Sequence, residues 1–247
     1  MFVIPMAGRS RRFHEAGYSV PKSQLILHGR PVFDHAVRSF AAYFDVHRFL
    51  FVVRAHELEF VRTRCAMVGI FDPIIVRVER DTSGQAETVL LGLDASAIGE
   101  DESLTIFNID TFRPDYSLPS LKCDGFIEVF RGEGRNWSFV APDPSRPFSV
   151  SETAEKLPIS NLCCTGIYQF ARASDFRWAY EHPLPPKSEA ERQERFVAPL
   201  YNGLVARGLD IRYGVIARND AIFCGTPEEY QHCRNSVEIG LRLSRLP

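Results

Sequence analysis

A cationic loop, a lysine soon after it and an aspartate at the end of an apolar run are the residues of this chain best suited by type and spacing to phosphate chemistry. Gly8-Arg9-Ser10-Arg11-Arg12-Phe13 follows the apolar run Phe2-Val3-Ile4-Pro5-Met6, and Pro21-Lys22 comes next. A buried strand that ends in such a loop holds a polyphosphate against backbone N–H groups and positive side chains. Asn108-Ile109-Asp110-Thr111 follows a second apolar run, Leu104 to Phe107, which puts the Asp110 carboxylate at the carboxyl edge of a sheet. One aspartate with substrate phosphates and waters is a normal magnesium arrangement. A turn aspartate capping the next segment would have the same local sequence.

Ser83-Gly84-Gln85-Ala86-Glu87-Thr88 precedes a helical pattern. Glycine lets a flat base lie against the backbone, and a glutamine amide can pair with a base edge as donor and acceptor. The same residues read as a helix start, which is compatible with base contact.

Elements able to position these residues alternate through the first half. Strand-like runs at Phe2–Met6, Phe49–Val53, Ile74–Val78 and Leu104–Phe107 are separated by helical spacing over Val32–Phe44, His56–Met67 and Glu87–Leu93. This alternation predicts an α/β protein with crossover units, a parallel sheet and helices on both faces. Ligands on such sheets bind beyond the carboxyl ends of the strands. The second half reads as strands at Phe126–Phe130, Trp137–Ala141, Phe148–Glu152 and Thr165–Phe170 with fewer helices between them. A proline-rich loop at Pro183–Lys187 is followed by a charged helix from Glu189 to Ala206. The expected fold is a mixed, mostly parallel Rossmann-like sheet in one domain, 1–247, with 1–120 binding nucleotide and 121–247 binding an acceptor. After residue 215 no hexapeptide rhythm of a β-helix tail appears.

A composition of 45% hydrophobic and 24% charged residues supports a globular core, and a net charge of -2 argues against nucleic acid as a partner. No apolar run is long enough to span a membrane and no signal-peptide pattern opens the chain, so the expected location is cytoplasmic. The six cysteines have no C-x-x-C spacing and read as reduced, mostly buried thiols.

The loop resembles the Gly-x-Gly-Ser/Thr-Arg loop of the sugar-phosphate nucleotidyltransferases, and Pro21-Lys22 is similar to the Pro-Lys that follows it there. Ala16-Gly17-Tyr18 matches the short capsule-biosynthesis members. Ser10 stands where that family has glycine, and Arg11 where it has Ser or Thr. The resemblance runs on in order: Asn108-Ile109-Asp110 is similar to the metal motif, Ser83 to Thr88 to the base-reading segment, and Glu155-Lys156 with Asn161 and Thr165-Gly166-Ile167-Tyr168 to the acceptor segment. Glu194 to Asn202 and Ile222 to Tyr230 are similar to later motifs. Phe223 replaces the second metal-binding aspartate of many relatives, with Asp220 nearby.

The resemblance implies a nucleotide-diphospho-sugar transferase fold and transfer of a nucleotide onto a sugar 1-phosphate or similar small phosphate, with Mg2+ and pyrophosphate release, for capsule or surface polysaccharide. Arg12 and Lys22 would be catalytic. Ala7, Gly8, Arg9, Ser10, Arg11, Gly84 and Gln85 would bind nucleotide. Glu155, Lys156, Gly166 and Glu194 would bind the acceptor, and Asp110 the metal. The expected partners are a nucleoside triphosphate and a phosphorylated acceptor, with no nucleic acid, no membrane and self-association left open. The alternatives are a cytidylyltransferase for a non-sugar phosphate, a nucleotide-binding regulatory homologue with little turnover, and a glycosyltransferase of the same fold.

Overall fold

In the computed structural model, which describes residues 1–247, the strand Phe2–Pro5 runs parallel to Phe49–Arg54 on one side and Leu104–Phe107 on the other. Ile74–Val78 adds a further parallel strand beyond Phe49–Arg54. Side chains alternate across these strands, as a period of two requires. Phe2, Ile4, Phe49, Phe51 and Val53 enter one core, while Val3, Leu50 and Val52 enter another on the opposite face. Burial on both faces is why Phe2–Pro5, Phe49–Arg54 and Leu104–Phe107 read as apolar runs, whereas the edge strand Ile74–Val78 is only partly buried.

The helices Val32–Arg38 and Leu58–Val68 cover the first face through Phe33, Val37, Val61 and Cys65. Gln85–Ala95, Ala173–Glu181 and Leu200–Ala206 cover the second through Val89, Phe176 and Tyr201.

Leu104–Phe107 is the seam between the halves, because its other neighbour, Leu162–Phe170, is antiparallel to it. Leu162–Phe170 also pairs antiparallel with Gly125–Arg131 and, at Cys163, with Ser138–Pro142, whose antiparallel partner is Val150–Glu155. Ile211–Ile216 joins Gly125–Arg131 in parallel. The product is a nine-stranded mixed sheet with helices on both faces. After it, the helices Pro227–Asn235 and Val237–Leu243 return to the first core, where Tyr230 donates a 2.8 Å hydrogen bond to the Ile26 carbonyl.

Three expected elements differ. The helix read over Val32–Phe44 ends at Arg38, and Ala41–Tyr43 is a separate 3-10 turn. Between them Phe40 turns into the core against Phe107 at 4.4 Å, and Ser39 Oγ accepts the Arg113 backbone N–H at 2.8 Å. The helix read from Glu189 to Ala206 is two helices, Glu189–Gln193 and Leu200–Ala206. Arg195 between them is captured by another segment: its N–H donates to Ser83 at 2.7 Å and its carbonyl accepts from Ala86 at 2.9 Å. The strand read over Phe148–Glu152 starts at Val150 and extends to Glu155, because Phe148 has a left-handed φ of 58° that no strand accommodates.

Candidate active site

At the carboxyl ends of Phe2–Pro5, Phe49–Arg54 and Leu104–Phe107 lies one cleft of about 990 Å3. All the residues singled out for chemistry line it: Ala7, Gly8, Arg9, Ser10, Arg11, Arg12, Lys22, Gly84, Gln85, Asp110, Glu155, Lys156, Gly166 and Glu194. They come from segments far apart in the chain, so the sheet topology is what gathers them.

The cationic loop is fixed at both ends. Ser10 adopts φ 49° and ψ 33°, the left-handed conformation that glycine takes more easily. Its carbonyl starts the short helix Arg11–Glu15 by accepting from Phe13 at 2.9 Å and His14 at 3.1 Å. Its hydroxyl accepts the Lys22 N–H at 3.2 Å, tying the loop to the Pro21-Lys22 segment. Phe13 anchors the loop in the core, while Arg11 and Arg12 stay exposed at the mouth.

Lys22 and Asp110 form an ion pair, their side chains 27% and 18% exposed. Beside them Ser23 Oγ donates to the buried Glu57 carboxylate at 3.0 Å, and burial pushes Glu57 above the usual carboxylate range.

At the start of the Gln85–Ala95 helix, Gly84 has φ 147°, and a Cβ there would lie 2.5 Å from the Arg195 carbonyl oxygen and 2.6 Å from its nitrogen. Only glycine fits between the Gln85–Ala95 helix and the Arg195 segment. The Gln85 side-chain amide donates to the Asn108 side-chain oxygen, linking the helix start to the Asp110 loop.

The Glu155 N–H donates to Glu191 Oε1 at 2.8 Å, and its carboxyl accepts the Ser138 hydroxyl, which itself accepts from the Tyr168 hydroxyl at 3.3 Å. Burial raises Glu155 to about 7 against the Ser138 hydrogen bond and the charge of Lys156. A Glu-Lys pair of this kind is ordinarily solvated on both sides, whereas here only the lysine is exposed. Lys156 has φ 53°, and its ammonium lies 5.2 Å from the centre of the Phe196 ring. Gly166, at φ 95°, passes so close to Asn108 that a Cβ would lie 2.5 Å from Nδ2. Glu194 is exposed at the rim.

Asp220 does not reach the cleft, because its carboxylate accepts the Ala217 N–H at 3.0 Å within its own turn. Phe223 does line the cleft, but as an apolar wall: its ring packs 4.8 Å from Trp137, 5.2 Å from Phe130 and 4.4 Å from the Arg218 guanidinium. Glu229 accepts the Gly225 and Thr226 N–H groups at 2.8 and 3.1 Å, capping the Pro227–Asn235 helix on the Asp110 side. No group of three or more acidic, His or Cys side chains is arranged to hold a metal unaided. Asp110 is the carboxylate here that could hold a cation drawing its other oxygens from substrate and water, as magnesium does.

Arg54, Asp81, Trp137, Ser138 and Phe196 also line the cleft and were not singled out from the sequence. Arg54 did carry a signal, as the charged residue closing the apolar run Phe49–Arg54 at the same sheet edge as Asp110. Phe196 lies in the Glu194–Asn202 segment already matched to a family motif, whereas Trp137 carries no such signal. All six cysteines are free thiols, five of them buried.

A mixed sheet with a cationic loop after its first strand and an aspartate after the Leu104–Phe107 strand is the arrangement that the resemblance to the nucleotidyltransferases implies. The structure superimposes on a nucleoside-diphosphate-sugar pyrophosphorylase from Vibrio cholerae RC9 with a TM-score of 0.89 and 47% identity, over 96% of this chain and 100% of that one. An inositol-1-phosphate CTP transferase from T. maritima shares the fold at TM-score 0.76 and 13% identity, over 99% of this chain and 94% of that one. A UDP-glucose pyrophosphorylase complexed with UDP-glucose does so at TM-score 0.73 and 15% identity, over 95% and 96%. No family model matches the chain, and no curated protein matches it. The chain belongs to the nucleoside-diphosphate-sugar pyrophosphorylase family of nucleotidyltransferases.

Proposed function

We propose that the protein joins a nucleoside triphosphate to a sugar 1-phosphate, giving a nucleoside-diphosphate sugar and pyrophosphate. The observation that carries this reading is the meeting in one cleft of the cationic loop, the Lys22–Asp110 pair and the Glu155-Lys156 corner. A cleft with cations at both ends and an acid between them suits two phosphorylated substrates brought end to end.

The acceptor phosphate attacks the α-phosphorus in line and pyrophosphate departs. No protein base is required, since the second pKa of a phosphate monoester is about 6 and the nucleophile is already an anion near neutral pH. Catalysis consists of positioning and charge neutralisation. Arg12 and the backbone of Ala7 to Arg11 hold the leaving phosphates, and Lys22 neutralises charge growing on the α-phosphate. Gly84 and Gln85 read the base. Lys156 orients the acceptor phosphate, while Glu155, Gly166 and Glu194 line the sugar. Asp110 would hold Mg2+, which supplies Lewis-acid charge to the phosphates when bound.

The product belongs to the class consumed in assembling surface polysaccharide, and we assign the protein to that use on its likeness to the short capsule members. We place it in the cytoplasm, where nucleoside triphosphates are made.

The test is pyrophosphate release, with Mg2+, from each of the four common ribonucleoside triphosphates and dTTP paired with a panel of sugar 1-phosphates, phosphocholine and inositol 1-phosphate. Release with a sugar 1-phosphate is expected. Release only with the non-sugar phosphates would replace the sugar in this reading, and nucleotide binding without release from any pair would contradict enzymatic function.

A further inference from the structure

Two guanidinium groups at the mouth of the cleft converge on one carboxylate. Arg9 Nε donates to Asp81 Oδ1 at 3.0 Å, and a terminal nitrogen of Arg9 pairs with Oδ2, a two-point grip. A terminal nitrogen of Arg54 pairs with the same Oδ1. Arg54 Nε donates to the Ala7 carbonyl at 2.8 Å, so the phosphate loop itself sets the position of this guanidinium. The paired N–H fork of arginine matches carboxylate and phosphate alike.

We propose that Arg9 and Arg54 form a polyphosphate subsite, and that the Asp81 carboxylate fills it until the tail of the triphosphate displaces it. The inference rests on the nucleotidyltransferase reading above and adds two residues to it, Arg54 as a phosphate contact and Asp81 as its internal stand-in.

Three observations support displacement over a permanent lock. The Asp81 and Arg9 side chains are 45% and 55% exposed, and solvated ion pairs are weak enough to exchange partners. Asp81 sits on the connection between the Ile74–Val78 strand and the Gln85–Ala95 helix, outside both elements, so it can withdraw without unpairing either. Arg54, only 24% exposed, cannot follow it into solvent because Ala7 holds its Nε. With Asp81 withdrawn, Arg54 faces the same mouth as Arg9, Arg11 and Arg12, and a triphosphate brings more negative charge to that mouth than one carboxylate does.

The subsite predicts opposite signs for two substitutions, whereas a purely structural cluster predicts loss from both. Inorganic tripolyphosphate is titrated into the full chain by calorimetry at low salt, with melting temperatures recorded for each variant. Asp81→Asn should bind it more tightly than the wild type, by about threefold or more, since one weak competing pair is removed. Arg54→Gln should bind it about tenfold more weakly, with Arg54→Lys between the two. Equal or weaker binding by Asp81→Asn would overturn the proposal even if Arg54→Gln failed to fold, as would wild-type affinity in a folded Arg54→Gln. A wild type that turns over nucleotide yet ignores tripolyphosphate would overturn the subsite alone. A wild type that binds neither tripolyphosphate nor any nucleoside triphosphate would overturn the function with it.

Discussion

The Lys22 ammonium is ion-paired with the Asp110 carboxylate in the wall of the cleft, each side chain partly shielded from water. One comes from the segment after the cationic loop and the other from the end of the Leu104–Phe107 strand, so their contact joins two segments far apart in the chain. Each is the natural partner of a different substrate component, the lysine of phosphate and the carboxylate of a divalent cation. Under the proposed function, substrate entry would exchange this internal pair for two external ones.

Lys22→Ala should lower turnover by about a hundredfold or more, the usual loss when a transition-state contact is removed. Asp110→Asn should instead raise the Mg2+ concentration needed for half-maximal rate. Pyrophosphate release measured across a magnesium titration separates the two, and a Lys22→Ala enzyme of near wild-type rate would remove lysine from its assigned role.

Glu155 gives the protein a pH dependence of definite sign. Unfolded, its carboxyl ionises in the ordinary range, but in the folded protein burial holds the proton to about 7. The folded state gains from this below the unfolded value and loses it as pH rises toward 7, so stability falls across that window and levels off above it. The contribution is on the order of 3 kcal/mol. Glu155→Gln should flatten this part of the profile, which denaturant melts of both proteins between pH 4 and 8 would check.

The parallel half of the fold was legible in the sequence because its central strands are buried on both faces and read as apolar runs such as Phe49–Val53. The expected loop, base and metal positions also share one cleft, since a strand's end can be read from where its apolar run stops. What escaped the sequence depends on partners remote along the chain. Arg195 is held out of helical geometry by Ser83 and Ala86, partners its local sequence does not show, although Pro199 does mark a helix boundary within Glu189–Ala206. Phe223 enters the cleft as the backing of Trp137, a pairing that neither residue's local sequence contains.

Gly166→Ala would place a methyl against the Asn108 amide at a backbone angle unfavourable to alanine. The expected cost is about 1–3 kcal/mol. Because Asn108 also accepts from Gln85, the displacement should raise KM for the nucleotide as well as lower the melting temperature. A fully stable variant with unchanged KM would show that this contact is not needed to align the two segments.

Arg113 and Glu128 form a buried two-point ion pair, with bonds of 2.8 and 2.9 Å, and Arg113 also donates to the Asp220 carbonyl at 2.9 Å. It fastens the segment after Asp110 to the Gly125–Arg131 strand. Removing one partner strands the other charge, so Arg113→Ala should cost about 3–5 kcal/mol. Urea unfolding would register this as a lower midpoint, while Arg113→Met combined with Glu128→Leu should recover much of the loss.

The most direct measurement follows the α-phosphorus itself. The protein is incubated with Mg2+, a sugar 1-phosphate and a nucleoside triphosphate that supports pyrophosphate release, labelled in turn at its α- and γ-phosphorus. The account predicts that the α-label appears in a nucleoside-diphosphate sugar and the γ-label leaves as pyrophosphate, with no label in orthophosphate. An α-label that stays in free mononucleotide, or a γ-label released as orthophosphate, would contradict it.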